Sequence, residues 1–270
     1  SYERAFIRYG KSYEYLIKHF ADLTNKKALV VGASSGIGLG CAVALAEYGA
    51  EVTLAARRSD KLLKLKSSFV RKGWKAKTMT LNVCDVERAT NLITVEGPYD
   101  ILINSAGTAR HSKAEDTTID DFQRVIDVNL KGTLYCIEHL LKCMKNRNNH
   151  IAVVASPVGY RGMPTAGAYG MTKAAQINLT ESLFFDFKKY NIKISVINPG
   201  FIDTESTKKN SFKMPFLKSS NYAADKIYNG LTKKYTFEIY FPFILLTVLK
   251  ILRILPLKIY SFIWKKLGNF

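Results

Sequence analysis

The sequence has few residues of the kinds that build metal sites or disulfide frameworks. Its 270 residues include four cysteines and four histidines. No cysteine pair has the C-x-x-C spacing, and the histidines form no cluster with carboxylates or cysteines, so we predict no bound metal. Four scattered cysteines in a chain of this length are typical of reduced core thiols. The thiols therefore favour a cytoplasmic location and exclude a disulfide scaffold.

The sequence also lacks an uninterrupted apolar run of bilayer-spanning length. Residues 1–24 have apolar side chains at helical spacing, which predicts an amphipathic N-terminal extension, but not the apolar core of a secretory signal peptide. Residues 242–270 form an apolar and basic tail that Lys250, Arg253 and Pro256 interrupt well below the roughly 20 apolar residues of a span. Two alternatives stay open for this tail. It is either a kinked helix pair in the membrane interface, on the cytoplasmic face, or a segment packed over the substrate pocket or a partner subunit.

Acidic residues are scarce relative to basic ones. The chain has 22 Asp and Glu against 40 Lys and Arg, a formal net charge of +18. Nucleic-acid-binding proteins usually concentrate such charge on a recognisable motif with stacking aromatics, whereas here the lysines are spread along the whole chain. We therefore predict no nucleic acid partner. The charge instead favours contact of the tail with an anionic surface.

The middle of the chain lacks the linkers, repeats and low-complexity tracts that would divide it into domains. The whole chain has 47% hydrophobic residues, and its segment 25–241 is long enough to form one domain with a substantial core. Runs rich in Val, Ile and Leu predict strands near 28–31, 51–56, 77–81, 100–104, 150–155, 193–197 and 236–241. Helical patterns lie between them near 39–48, 60–72, 86–96, 119–145, 168–190 and 221–233. Strands without polar alternation, separated by helices, predict an α/β fold, a Rossmann-type doubly wound parallel sheet of about seven strands.

Three glycines follow the first apolar run. Gly32, Gly36 and Gly38 separate this run from the helical pattern that begins at Leu39. A strand, a glycine turn and a helix start bring backbone N–H groups against a pyrophosphate. In that arrangement Gly32 permits the tight turn, Gly36 a close backbone approach and Gly38 close packing of helix on strand. The spacing predicts a dinucleotide site.

A tyrosine and a lysine are spaced for acid–base chemistry. Tyr169 and Lys173 are four residues apart and therefore share one face of a predicted helix. An ammonium at that distance favours the phenolate, so we expect Lys173 to lower the pKa of Tyr169 from about 10 toward the working range. Such a phenol can act as a general acid or base near neutral pH.

Together these motifs resemble those of the short-chain dehydrogenase/reductase family, over roughly residues 26 to 241. The family's T-G-x-x-x-G-x-G is met from Gly32 to Gly38, except that Val31 replaces the threonine. Further family motifs appear as Asn104-Ser105-Ala106-Gly107 (with serine for one asparagine), Asn129 in V-N-L, Ser156 thirteen residues before Tyr169, and Asn198-Pro199-Gly200 with Thr204.

The resemblance implies a role for each matched residue. Ser156 would orient a substrate carbonyl, Tyr169 would exchange the proton, and Lys173 would hold the nicotinamide ribose. Asn129 would hold a water that links Lys173 to solvent. The implied cofactor-binding residues are Gly32, Ser34, Ser35, Gly36, Ile37, Gly38, Arg57, Arg58, Asn82, Val83, Asn104, Ala106, Gly107, Tyr169, Lys173, Pro199, Gly200, Ile202 and Thr204.

The choice of nicotinamide cofactor is argued from charge. A site for NAD would place a carboxylate near Ala56, at the end of the second strand, but Arg57 and Arg58 follow instead. Guanidinium groups pair with phosphate through parallel charge-assisted bonds, which suits the 2′-phosphate of NADP. The alternative is that both arginines form a solvated loop edge. We predict NADP, bound as NADPH in the reductive direction.

The substrate depends on loops. One predicted pocket wall is Pro157 with residues 160–164, another is His111, and the lysine-rich segment 205–220 with its apolar residues is a predicted lid. The expected function is an NADP-dependent oxidoreductase acting on a small-molecule carbonyl or alcohol, with a hydrophobic or lipid-like compound a good fit. The alternative is an NADP-binding scaffold or regulator with little turnover. The resemblance also implies a homo-oligomer, either a dimer or a tetramer.

Overall fold

A parallel sheet of seven strands is the centre of the fold. The computed structural model describes residues 22–85, 97–144, 148–210, 212 and 214–266, so the predicted N-terminal helix and the helix predicted at 86–96 lie outside the described residues. The strands are β1 Lys27–Val31, β2 Glu51–Ala56, β3 Ala76–Thr80, β4 Ile101–Asn104, β5 Asn149–Val154, β6 Ile192–Pro199 and β7 Glu238–Phe241. All neighbours pair in parallel, in the order β3-β2-β1-β4-β5-β6-β7. The predicted fold class and strand number are confirmed.

Helices connect the strands and extend beyond the sheet. The described α-helices are α1 Gly36–Glu47, α2 Ser59–Arg71, α3 Ile119–Val125, α4 Gly132–Met144, α5 Gly167–Lys188, α6 Ser220–Thr232, α7 Phe243–Ile254 and α8 Leu257–Lys266. The helix predicted over 119–145 is helical from Ile119 to Met144, but it contains the unpredicted π-helical turn Ile126–Lys131 between α3 and α4. Within that turn the carbonyl of Asn129 accepts hydrogen bonds from the Thr133 hydroxyl and the Gln176 amide. Wider turns of this kind often mark functional sites.

Apolar side chains fill both faces of the sheet. Ala28 and Val30 of β1 belong to the core cluster that contains Leu45 of α1 and Ile227 of α6. Leu29, the residue between them, belongs to the cluster on the opposite face, with Leu140 of α4 and Phe187 of α5. Because both faces are covered, the strands contain continuous apolar runs rather than alternating ones.

The strand order changes direction at β1. This strand pairs with β2 on one side and with β4 on the other, and Val31 is in register with Asn104 at their carboxyl ends. In open α/β sheets the crevice outside such a switch point is the usual ligand site. The glycine loop and the segment after β4 meet there.

Of the last two helices, α7 packs beside the edge strand β7, and α8 contacts the loop that follows Ser156. Leu246 of α7 is fully buried in a small cluster with Ala155, Tyr160, Ile177 and Val196. The other side of the two helices is exposed. No helix in the described part of the chain is long and apolar enough to cross a membrane.

Candidate active site

The glycine loop packs tightly against the segment after β4. Gly32 has φ +85°, and a Cβ there would lie 2.8 Å from the backbone N of Ala106. A Cβ on Gly38 would lie 2.4 Å from the carbonyl oxygen of Gly32, so side chains are excluded at both positions. The first turn of α1 contains no acidic residue, and the Ser35 side chain makes no capping hydrogen bond. The loop and the helix N-terminus therefore form a cradle for a phosphate group.

Ser156 and Tyr169 meet at the carboxyl end of β5. Ser156 follows this strand and caps the short 3-10 helix Pro157–Gly159, with its hydroxyl accepting a hydrogen bond from the N–H of Val158 at 3.4 Å. Tyr169 lies in the first turn of α5, with its phenol close enough to Ser156 for that hydroxyl to act on the pKa of the phenol. The thirteen residues from Ser156 to Tyr169 thus lead the chain away from the end of β5 and back to it, so that the two side chains are neighbours.

Lys173 lies one helical turn after Tyr169 and is almost completely buried, at 4% exposure. Its Nζ is 5.6 Å from the centre of the Tyr169 ring and donates hydrogen bonds to the carbonyl of Val154 and to Oε1 of Gln176. Burial lowers the pKa of Lys173 to about 7.

The expected decrease in the pKa of Tyr169 is wrong for this structure. Burial raises the pKa of the phenol, and the nearby Ser156 hydroxyl only partly opposes this effect. We expected the Lys173 ammonium to favour the phenolate because it lies one helical turn away. Here Lys173 has itself lost most of its hydration, and its hydrogen bonds point to Val154 and Gln176 instead of the phenol oxygen.

Asn129 is fully buried between the site and the π-helical turn. Its side chain donates to the Thr108 carbonyl and the Thr172 hydroxyl and accepts from the N–H of Thr108. Its carbonyl accepts from Nε2 of Gln176 at 2.7 Å. Oε1 of Gln176 accepts from Lys173 at 2.8 Å, so this glutamine links Lys173 to Asn129 directly. That Asn129 also holds a water linking Lys173 to solvent stays a prediction.

Gln176 was missed as a site residue. It is 1% exposed, and its amide also donates to the Thr133 hydroxyl, which accepts from Asn104 in turn. The signal was its position three residues after Lys173, which places both side chains on one helix face.

The two predicted arginines have different surroundings. The guanidinium of Arg58 donates to the hydroxyls of Ser34 and Ser35 at 2.8 and 3.0 Å, beside the glycine loop. Arg57 is exposed, and its positive charge partly opposes the rise that burial causes in the pKa of the Cys84 thiol. The structure therefore brings only Arg58 to the cradle.

Two further charged residues at this rim were missed. The carboxylate of Glu205, in the predicted lid, binds Arg58 and Lys61 at 2.9 Å each. Hydrogen bonds from Lys61 and Arg58 lower the pKa of Glu205 to about 2. The signal for Lys61 was its place three residues after Arg58 at the start of a helix. No sequence pattern indicated Glu205, because it is 147 residues from Arg58.

The remaining predicted cofactor residues lie along the same crevice. Asn104 holds the N–H of Ala106, and a Cβ on Gly107 would lie 3.4 Å from Oδ1 of Asn129. The methyl group of Thr204 lies against Gly36, since a Cβ on that glycine would be 3.0 Å away. After β6, which ends at Pro199, the N–H of Gly200 donates to the Phe241 carbonyl, and Ile202 is buried. After β3, the Asn82 side chain accepts from the N–H of Cys84, and Val83 packs on Gly132.

Aromatic rings cover Tyr169. The ring of His111 lies 5.6 Å from that of Tyr169 and 5.6 Å from that of Phe212, which also contacts Phe201. Burial lowers the pKa of His111, so its imidazole is neutral at physiological pH. His111 and the lid therefore form an apolar cover beside the phenol.

Tyr160 and Arg161, predicted in a pocket wall, have other partners. The Tyr160 hydroxyl donates to Glu238 of β7 at 2.5 Å, and the Arg161 guanidinium donates to the carbonyls of Leu252 and Arg253 at the end of α7. The prediction for these two side chains is wrong because they attach the tail. In the described residues no group of His, Cys, Asp and Glu could hold a metal ion.

Comparisons with known proteins agree with this geometry. The short chain dehydrogenase family model matches residues 26–235. An uncharacterised oxidoreductase of Staphylococcus aureus (strain MW2) is 36% identical over 190 residues, covering 68% of this chain and 81% of that protein. A short-chain dehydrogenase of Burkholderia cenocepacia J2315, solved with NADP, has a TM-score of 0.74 at 21% identity, covering 82% and 97% of the chains. One from Burkholderia phymatum, solved with NAD, has a TM-score of 0.77 at 20% identity, covering 86% and 94%.

The fold and the site define a Rossmann-type oxidoreductase. The chain belongs to the short-chain dehydrogenase/reductase family, whose fold binds a nicotinamide cofactor. The residues present fit such a cofactor. Glycines that allow no Cβ form the cradle, the first turn of α1 has no acid, and Arg58 lies at the rim.

Proposed function

We propose that this protein is an NADP-dependent oxidoreductase that transfers hydride between the nicotinamide and a carbonyl or alcohol. The observation that carries the proposal is that Tyr169, with Ser156 close enough to act on its phenol, lies beside the buried Lys173, whose Nζ is 5.6 Å from the centre of the tyrosine ring. The cofactor, when bound, supplies or accepts the hydride. The protein's own residues bind the carbonyl oxygen and move the proton.

The proton step is assigned to Tyr169. The Ser156 hydroxyl would donate to the substrate carbonyl oxygen and hold it within reach of the phenol. Because burial raises the pKa of Tyr169, the phenol keeps its proton at neutral pH. A protonated phenol is the form that donates, so the geometry supports reduction in this pH range. Lys173, fixed by Val154 and Gln176, would hold the ribose hydroxyls.

The preference for NADP rests on charge. The second strand ends at Ala56 without a carboxylate, whereas Arg58 donates to Ser34 and Ser35, and Lys61 shares the Glu205 carboxylate with Arg58. Related structures have been solved with NADP and with NAD, so the fold permits either. The 2′-phosphate distinguishes NADP, and charge-assisted hydrogen bonds from a guanidinium suit it.

The substrate is proposed to be hydrophobic. His111, Phe201 and Phe212 form an aromatic chain that begins at the Tyr169 ring. A neutral imidazole and two phenyl rings would cover an apolar carbonyl compound and exclude water from the proton transfer. The alternative function, a cofactor-binding scaffold, gives no role to the placement of Tyr169 between Ser156 and the buried Lys173.

The test is NADPH oxidation over a panel of ketones and aldehydes, with Tyr169→Phe as the decisive variant. This substitution removes the proton donor and keeps the ring, so turnover should fall about 100- to 10,000-fold while NADPH binding is retained. Tyr222→Phe, which removes a hydroxyl from a partly buried tyrosine on α6, is the matched control and should keep full turnover. Wild-type turnover in Tyr169→Phe would refute the mechanism. NADPH binding without turnover of any compound would favour the scaffold.

A further inference from the structure

The two C-terminal helices expose a stripe of large apolar side chains. In α7 the stripe contains Ile244, Val248 and Ile251, which are 68%, 48% and 55% exposed and lie at spacings of four and three residues. In α8 it continues with Leu257, Ile259 and Phe262, which are also exposed. The opposite side of α7 already packs on the domain through Leu246. Contiguous exposed apolar surface of this kind marks an interaction site.

The charges beside this stripe have one sign. No aspartate or glutamate follows Glu238 in the sequence, whereas residues 242–266 contain five Lys and Arg. Lys250 is paired with Glu238, and the other four, Arg253, Lys258, Lys265 and Lys266, are exposed. An apolar stripe on two helices whose own charged residues are all basic is complementary to a surface that is apolar inside and anionic at its boundary.

A second copy of the chain is a poorer occupant. A two-fold symmetric contact places the same patch on both subunits. The stripe would then bring Arg253 and Lys258 of each copy against a patch that has no carboxylate to neutralise them. The charge pattern thus favours lipid headgroups over self-association.

The helices are fixed to the loop that follows Ser156. The Arg161 guanidinium caps the carbonyls of Leu252 and Arg253 and stacks 4.2 Å from the centre of the Tyr260 ring. The hydroxyl of Tyr260 donates to the carbonyl of Gly162. The loop that holds both helices is therefore five residues from a proposed substrate-binding serine, and the stripe has a defined orientation relative to the site.

Helix length excludes a span by these helices. The twelve residues of α7 extend about 18 Å, against a hydrocarbon core of about 30 Å. Pro256 then separates α7 from α8. We propose that α7 and α8 lie in the plane of an anionic membrane surface, with the apolar stripe in the headgroup region. The substrate class that follows, a carbonyl compound dissolved in that membrane, rests on the proposed function.

The test uses the full chain and flotation with two kinds of vesicle, pure phosphatidylcholine and phosphatidylcholine with phosphatidylserine. Wild type should float with the anionic vesicles at low salt and be released by high salt. Replacing both Ile244 and Ile251 by Asp should lower the partition coefficient at least tenfold. Lys258→Gln and Lys265→Gln should each lower it about fivefold. Leu63→Asp, at an exposed apolar position on α2, is the matched control and should bind as wild type does.

NADPH titration of each variant shows that the domain is intact, since the stripe lies outside the cofactor residues. The proposal is overturned if wild type does not bind anionic vesicles at low salt. It is also overturned if light scattering shows a dimer that the Ile244 and Ile251 double variant dissociates, because the stripe is then a subunit interface. Resistance to alkaline carbonate extraction would overturn it in favour of insertion. Vesicle binding without turnover would refute the proposed function and support the membrane contact of α7 and α8.

Discussion

A closed hydrogen-bond network fixes the amine of Lys173. Gln176 accepts from Lys173 through Oε1 and donates through Nε2 to the carbonyl of Asn129 and the hydroxyl of Thr133. All four residues are almost fully buried. An amide acceptor stabilises the charged amine in a place where burial opposes the charge. We therefore expect Gln176 to act as a positioning residue that supports the charged form of Lys173.

The pH dependence of NADPH affinity tests this role. Lys173 has a pKa of about 7, so its ammonium is present below this pH and is lost as pH rises through it. Since NADPH is anionic, affinity should fall across that range. Gln176→Leu removes the acceptor and lowers the pKa further, which should shift the fall by about one to two pH units toward acid. The measurement is a fluorescence titration of NADPH at a series of pH values.

Thr133→Val provides the control for that experiment. It removes a partner of Gln176 and Asn129 but none of Lys173, so the pH at which affinity falls should stay in place. An unchanged profile in Gln176→Leu would show that the glutamine has no influence on Lys173.

The residue types of the site could be predicted from spacing, but their electrostatics could not. Tyr169 and Lys173 share one helix face, as four-residue spacing requires. The direction of the pKa shift depends on burial, and burial is set by chain segments far apart in sequence. Val154 and Gln176 decide where the Lys173 amine points, and only the folded chain brings Val154 there.

At the scale of elements, the strands and most helices could be predicted because their apolar runs are buried on both faces of one sheet. The division between α3 and α4 could not. In the π-helical turn between them, the carbonyl of Asn129 accepts a hydrogen bond from Gln176 of α5, a residue far away in the sequence. Local periodicity contains no record of such a contact.

The predicted lid is joined to the cofactor rim by one carboxylate. Glu205 binds Arg58 and Lys61, the two cations that we assign to the 2′-phosphate of NADP. A bound phosphate and this carboxylate would compete for the same donors. Cofactor binding and the position of the segment after Thr204 are therefore expected to be coupled.

Substitution of Glu205 should change the affinity for NADPH and leave the affinity for NADH unchanged. Glu205→Gln removes the competing charge, so NADPH should bind about two- to fivefold more tightly while NADH affinity stays the same. Arg58→Ala should act in the opposite direction and weaken NADPH about ten- to a hundredfold. Parallel titrations with both cofactors provide the measurement. Equal changes for NADPH and NADH would mean that the rim does not contact the 2′-phosphate.

On the scale of the whole molecule, the tail is attached to the domain by three kinds of contact. Leu246 fills an apolar cluster, Lys250 pairs with Glu238 of the edge strand, and Arg161 caps the end of α7. We predicted a domain boundary at residue 241, where the last predicted strand ends. The side chains that close the sheet edge lie beyond that boundary.

Leu246→Ala tests whether the tail is part of the cooperative fold. The side chain is fully buried, so its removal should lower the free energy of unfolding by about 2–5 kcal/mol, measured from denaturant curves. Ile244→Ala, two residues away on the exposed stripe, loses a side chain of the same size and should change stability by no more than about 0.5 kcal/mol. If both variants unfold at the wild-type midpoint, α7 folds independently of the sheet and the boundary at residue 241 stands. A large decrease in the free energy of unfolding in Leu246→Ala, but not in Ile244→Ala, would place α7 inside the domain. Its exposed stripe would then be held rigidly at the domain surface.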